Sequence, residues 1–189
     1  MQDKFFSTFE NKKDFLQKAF LTLFFSGLSP KAPGTIGSLV AIPLAWAISY
    51  YIAPSTLLLS ALLISAIAIK IINLYEKQGL NHDRSEIVID ELAGIFIAVS
   101  IIGHSVFALI LSFILFRIFD IWKPSIIGKI DRGIKGGLGV MGDDLLAGFF
   151  AGLLGLIIIG LMQKFNFYTN ILEFEVFSLI RFQLNGIFI

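Results

Sequence analysis

From Ala32 to Ile69 the chain carries no charged residue. As one helix this stretch would be about 57 Å long, nearly twice the ~30 Å hydrocarbon core of a bilayer. It must fold back on itself. The turn falls at Ala53-Pro54-Ser55, because proline cannot continue a helix and restricts the residue before it. Helices are expected near Leu39–Ile52 and Thr56–Leu74. A second gap, Leu92 to Phe116, corresponds to about 37 Å of helix, which is either one tilted span or two short helices broken at Gly103-His104-Ser105. A last apolar run, Leu145 to Met162, is one more span of minimal length.

The charges missing from these gaps are gathered between them. Of 29 charged residues, eight lie from Asp3 to Lys31, eight from Lys70 to Glu91, nine from Arg117 to Asp144, and four after that. A charge at the bilayer centre costs roughly 2.5–3.5 kcal/mol on the mildest scale, so lipid insertion selects gaps of this kind. Lysine and arginine decide the second gap, since the first three clusters hold 13 of the chain's 15. A hairpin at Gly103 places all three clusters on the cytoplasmic side and leaves the short turns at Pro54 and Gly103 without a basic residue.

The ends are less regular. Phe15–Phe25 is too short to span and is expected to lie at the interface as a helix. The segment after Met162 mixes Phe, Ile and Leu with Glu173, Glu175 and Arg181, which suits an interfacial amphipathic helix. The expected fold is therefore all-α, a polytopic membrane bundle of about five short spanning helices with interfacial N- and C-terminal helices. Its parts are a membrane domain over 1–162 and a tail over 163–189. A 56% hydrophobic content and mean hydropathy of +0.84 agree with lipid as the solvent. The formal charge of +1 without a basic run argues against a nucleic-acid partner. The absence of cysteine excludes thiolate metal sites and cysteine nucleophiles. Acids among the N-terminal lysines, with no small-residue cleavage site, argue against a removable signal peptide.

Three loops carry residues with chemical potential. In Ser26–Ser38, glycines and small hydroxyl residues precede a helix, a composition that can turn amides toward an anion, with Lys31 as countercharge. The same residues also suit a plain helix entrance with Thr35 or Ser38 as N-cap. In Asn81–Glu91, Asp90 and Glu91 stand about 100° apart on a helix and can approach one point, as hard cations such as Mg²⁺ require. Acids in a first helical turn serve that helix equally well. His82 is a possible proton carrier or a solvated loop residue. The third segment combines Asp120, Lys123, Asp131, Arg132, Lys135, Asp143 and Asp144 with four glycines between 136 and 142. Its acids exceed what capping needs, and its cations can neutralise a phosphate. Under the hairpin topology the three loops meet at one membrane face, and metal plus phosphate accounts for the mixture.

These segments resemble the phosphatidylglycerophosphatase A family of bacterial membrane enzymes. The resemblance spans roughly Ser26 to Gly152 and rests on Gly27–Ser38, Ile87–Glu91, Phe119–Pro124, Asp131-Arg132 and Gly136–Asp144 in that order. It implies Mg²⁺-dependent hydrolysis of phosphatidylglycerophosphate to phosphatidylglycerol and phosphate at the cytoplasmic membrane, with membrane lipids as surroundings. On this reading Asp90, Glu91, Asp143 and Asp144 hold the metal. Lys31, Thr35, Ser38, Lys123, Arg132 and Lys135 hold the phosphate. Asp90, Asp120, Lys123, Asp131, Arg132 and Asp143 make up the catalytic set, and any of its acids can act as base.

Rival readings are a metal-dependent phosphotransferase of the CDP-alcohol type, whose longer Asp-Gly-x-x-Ala-Arg signature is absent, and an ion-coupled transporter. A transporter would place its acids within spans, whereas here they fall at helix ends. The hairpin is testable by itself: single cysteines at Ser85 and Ser125 are expected to react with an impermeant label from the same side of the membrane, and opposite labelling would refute it.

Overall fold

The computed structural model describes residues 12–77, 86–123 and 134–165, and among these it contains helices and no strand. Helix α1 (Lys12–Leu21) leads through a left-handed turn into a short 3₁₀ turn, Ser26–Leu28. Then come α2 (Pro33–Tyr51), α3 (Pro54–Lys77), α4 (Ile89–Ile102), α5 (Val106–Trp122) and α6 (Gly137–Lys164). The tail beyond residue 165 lies outside the described residues, as do Asp131, Arg132 and His82.

Helix α4 is the axis of the molecule. Every residue from Leu92 to Val99 is buried, as expected of a helix that is apolar all round. Helices α2, α3, α5 and α6 surround it. Three of the helices, α2, α3 and α6, are long and apolar enough to cross a membrane. Helices α4 and α5, with 14 and 17 residues, are shorter and form the hairpin expected at Gly103. Gly103 has φ 110°, a conformation that favours glycine, and the Ser105 hydroxyl caps α5 by accepting from the Ala108 amide at 3.1 Å. Ile102, Ala108 and Ile159 pack together there, so the C-terminal half of α6 accompanies the hairpin turn.

The opposite ends of the five helices therefore assemble together. Asn73, near the end of α3, accepts a 2.7 Å hydrogen bond from the Gly137 amide at the start of α6. Gly34, in the first turn of α2, lies against Glu91 of α4 and Arg117 of α5. At the far end the exposed rings of Trp46, Tyr50 and Tyr51 stack within 5.0–6.3 Å of one another, a polar-edged aromatic group of the kind found at bilayer boundaries. Between the two ends, exposed Leu, Ile and Val side chains cover α3, α5 and α6, including Ile110, Ile114 and Ile118 at four-residue spacing. Water tolerates apolar patches of that extent poorly, and lipid does not penalise them.

The boundaries of three helices differ from the sequence expectation. Helix α2 begins at Pro33, not near Leu39, because proline is well suited to the first helical position. Thr35 and Ser38 are thus inside the helix and neither is its N-cap; Ser38 donates instead to the Gly34 carbonyl at 2.8 Å. Helix α6 begins at Gly137, two turns before Leu145, so Asp143 and Asp144 are intrahelical rather than capping residues. Its glycine-rich first turns are poor helix formers alone, and packing against α3 and α4 overrides that preference. Helix α1 also starts earlier than Phe15 and ends at Leu21, where Leu23, Phe24 and Phe25 take positive φ values.

Close helix contact depends on small residues. A methyl group at Gly148 of α6 would lie 2.8 Å from the Gly94 Cα of α4, whereas at Gly160 nothing lies within 4 Å. Packing rather than a hydrophobic drive holds helices together in lipid, so backbone approach of this kind matters. Gly148→Ala is expected to destabilise the fold by roughly 1–3 kcal/mol in a denaturant titration in detergent. Gly160→Ala is expected to leave stability equal or raised by up to about 1 kcal/mol.

Candidate active site

The end at which Gly34, Asn73, Asp90 and Gly137 meet is also where the carboxylates converge. Asp90 and Glu91 open α4, so their backbone amides are among those without an intrahelical acceptor. The Glu91 amide donates to Asp90 Oδ1 at 3.1 Å. Asp144 arrives from the second turn of α6 and is buried at 4% exposure. One carboxylate oxygen from each of Asp90, Glu91 and Asp144 lies within 4.8 Å of the other two. Asp120, in the last turn of α5, faces Asp144 and Glu91, and the charge of Asp143 reaches Asp90 and Asp144.

Each of the two outer acids is held by a cation. Lys123 Nζ donates to Asp143 Oδ2 at 2.6 Å, and Arg117 Nη1 donates to Asp120 Oδ2 at 2.6 Å. Consecutive helical residues point about 100° apart, which is why Asp143 turns to Lys123 while Asp144 enters the cluster. Lys123 reaches back because it ends α5 in a left-handed conformation, φ 40°. Five carboxylates thus share the site with two cations among the described residues. Three carboxylate oxygens so near each other repel strongly unless a countercharge lies among them.

The oxygen donors Asp90, Glu91 and Asp144 suit a hard divalent cation. Glu91 Oε2 adds a second indication: it is buried and has no hydrogen-bond partner among the described residues. A buried, unsatisfied acceptor costs roughly 1–3 kcal/mol, more when charged, and a bound cation would remove that cost. The donor set therefore fits Mg²⁺.

The remaining residues singled out from the sequence are placed as follows. Ser38 is fully buried on α2 and accepts from Arg117 Nη1 at 3.5 Å, so it contacts the site's arginine. Lys31 is exposed just before α2, and Thr35 is partly buried in its first turn. Lys135 is exposed two residues before α6. His104 sits at the far hairpin turn, away from the acids.

Three residues escaped the sequence reading as parts of the site. Arg117 was not among the candidate site residues, although its three-residue spacing from Asp120 is an ion-pair signal on a helix. Asn73 is a lone amide within the apolar run of α3, and that isolation was the available clue. Gly34 gave no signal of its own.

Apolar helices with charged groups concentrated at one end are consistent with a membrane protein. The phosphatidylglycerophosphatase A family model matches residues 19–159. Phosphatidylglycerophosphatase A of Escherichia coli K12 is 38% identical over 133 residues, covering 69% of this chain and 77% of the relative. The Haemophilus influenzae protein of the same name is 35% identical over 144 residues, 68% of this chain and 79% of the relative. A Bacteroides thetaiotaomicron protein, provisionally named a phosphatidylinositol-3-phosphatase, is 35% identical over 150 residues, 76% and 93% of the two chains. No solved structure matches the chain. The chain belongs to the phosphatidylglycerophosphatase A family. It is accordingly a hydrolase of phosphate monoesters.

A methyl group at Gly34 would collide with Glu91 Oε1 and lie 3.4 Å from Arg117 Nη1. The obstacle is the tip of a flexible side chain, so Glu91 would swing aside while the backbone stays put. Gly34→Ala is expected to lower phosphatase activity about 100-fold, the scale on which a misplacement of about 1 Å acts. Its thermal unfolding should change little.

Proposed function

We propose that the protein is a Mg²⁺-dependent phosphatase that converts phosphatidylglycerophosphate to phosphatidylglycerol and inorganic phosphate in phospholipid synthesis. The observation that carries the metal part of this reading is the group of Asp90, Glu91 and Asp144 within 4.8 Å, with Glu91 Oε2 buried and unpartnered. The substrate follows from the two relatives of that name and from an apolar surface that keeps a lipid's acyl chains in the bilayer.

Asp90, Glu91 and Asp144 would hold the ion, with Asp143 beside them in its pair with Lys123. Bound there, the ion supplies charge neutralisation and polarisation of phosphoryl oxygens. Lys123 stands at the rim, one-third exposed, where it can meet an anionic headgroup. Arg132, Lys31, Lys135, Thr35 and Ser38 complete the phosphate-binding set, and Asp131 joins the catalytic acids. Water attacks phosphorus opposite the glycerol oxygen, and the bond from phosphorus to that oxygen breaks. A carboxylate of the set, Asp120 or Asp143 among them, accepts the water's proton, and the departing glycerol oxygen takes a proton up.

In this reading α4 and α5 cross the bilayer as a short hairpin beside α2, α3 and α6, giving five spans. The site then faces the cytoplasm, a placement supported by the excess of Lys and Arg in the three charged clusters. The Bacteroides relative favours one further reading, a phosphoinositide substrate for the same site.

The deciding assay measures inorganic phosphate released from phosphatidylglycerophosphate and, in parallel, from phosphatidylinositol 3-phosphate. The first substrate is expected to be preferred, and preference for the second would favour the phosphoinositide reading. Chelation of Mg²⁺ should abolish release, and Asp90→Asn should reduce it by at least about 100-fold, the scale of lost electrostatic stabilisation. Activity indifferent to both changes would refute the metal centre.

A further inference from the structure

An arginine paired with a carboxylate frequently engages it through both arms of its fork. Arg117 does not. It is 16% exposed and, among the described residues, makes its hydrogen bonds through Nη1, at 2.6 Å to Asp120 and 3.5 Å to Ser38. Its Nε is buried and has no hydrogen-bond partner among the described residues. The same guanidinium and the Glu91 carboxylate both border Gly34, where the missing side chain leaves room for them. Its charge acts on Glu91 as well as on Asp120. A cation thus stands beside the acidic cluster, anchored at one nitrogen by Asp120 and with its Nε left unpaired among the described residues.

We infer that Arg117 is a positioning residue whose charge opposes the divalent ion, keeping the acidic centre partly neutralised when the ion is away and limiting how tightly the ion is held. The inference rests on Asp90, Glu91 and Asp144 being the ion's ligands. The physics is direct. Like charges in a partly buried site repel with little screening, so a fixed guanidinium near Glu91 weakens the attraction felt by a cation at that carboxylate. In return, Arg117 orients Asp120 toward Asp144 and ties the first turns of α2 to the end of α5 through Ser38. Asp120 offsets the arginine. Removing one member of the pair therefore shifts metal affinity in a direction set by the sign of the charge removed.

The test is a calorimetric titration of Mg²⁺ into the full-length protein in detergent, for the wild type, Arg117→Gln, Asp120→Asn and the double variant, with phosphate release measured on each. Arg117→Gln is expected to bind Mg²⁺ about tenfold more tightly, as a single-charge change at partly screened range allows, and to release phosphate more slowly. Asp120→Asn is expected to bind about tenfold more weakly, because Arg117 then acts unopposed. The double variant should return to within about threefold of the wild type, since the two charges are removed together. A merely structural arginine would give the reverse for the first variant, looser binding through a disturbed site. Unchanged or weaker binding in folded Arg117→Gln overturns the inference. Should that variant fail to fold, the other two decide: a double variant as weak as Asp120→Asn overturns it, and restored affinity supports it. Absence of Mg²⁺ binding by the wild type overturns the metal reading itself and this inference with it.

Discussion

Five carboxylates at one end of an apolar bundle stay ionised together only beside countercharge, and that constraint organises the structure. Lipid excludes charge from the spans, so the acids collect where helices end. Once collected they repel, so each needs a partner. Lys123 and Arg117 answer for Asp143 and Asp120, and Asp90, Glu91 and Asp144 remain as a group shaped for a cation. The division sets two ion-paired acids beside three clustered ones at the same end of the bundle.

The bundle exists to hold that division in place. Helix α4 is buried along its middle and presents Asp90 and Glu91 at its start, so neither acid can drift from the centre. Helix α6 packs against it through glycines, which bring the Asp144 backbone to the level of Gly94. Asn73 latches the start of α6 to α3 and sets its height. The same buried scaffold supports a short ion pair between Asp143 and the partly exposed Lys123.

Much of the architecture was legible from the chain. Uncharged gaps located the apolar helices, Pro54 and Gly103 marked two turns, and the distribution of Lys and Arg pointed to the hairpin that brings Glu91 and Asp144 to one end. These features are local or additive, and lipid enforces them residue by residue. Helix starts were harder to read. Pro33 and Gly137 begin helices several residues ahead of the apolar runs, because the first turns of α2 and α6 are stabilised by neighbours, not by their own composition.

The chain alone determined that this protein is a helical membrane bundle with its acids at helix ends, since the solvent's dislike of charge is written in every uncharged stretch. Only the tertiary structure decided which acids share a centre. Asp143 and Asp144 are sequence neighbours, yet one faces Lys123 and the other joins Asp90 and Glu91. Arg117 and Gly34 likewise acquire their roles from distant helices. The physical reason is that helical rotation and packing, which arise from contacts far apart in the chain, fix the direction of each side chain to within a few ångströms.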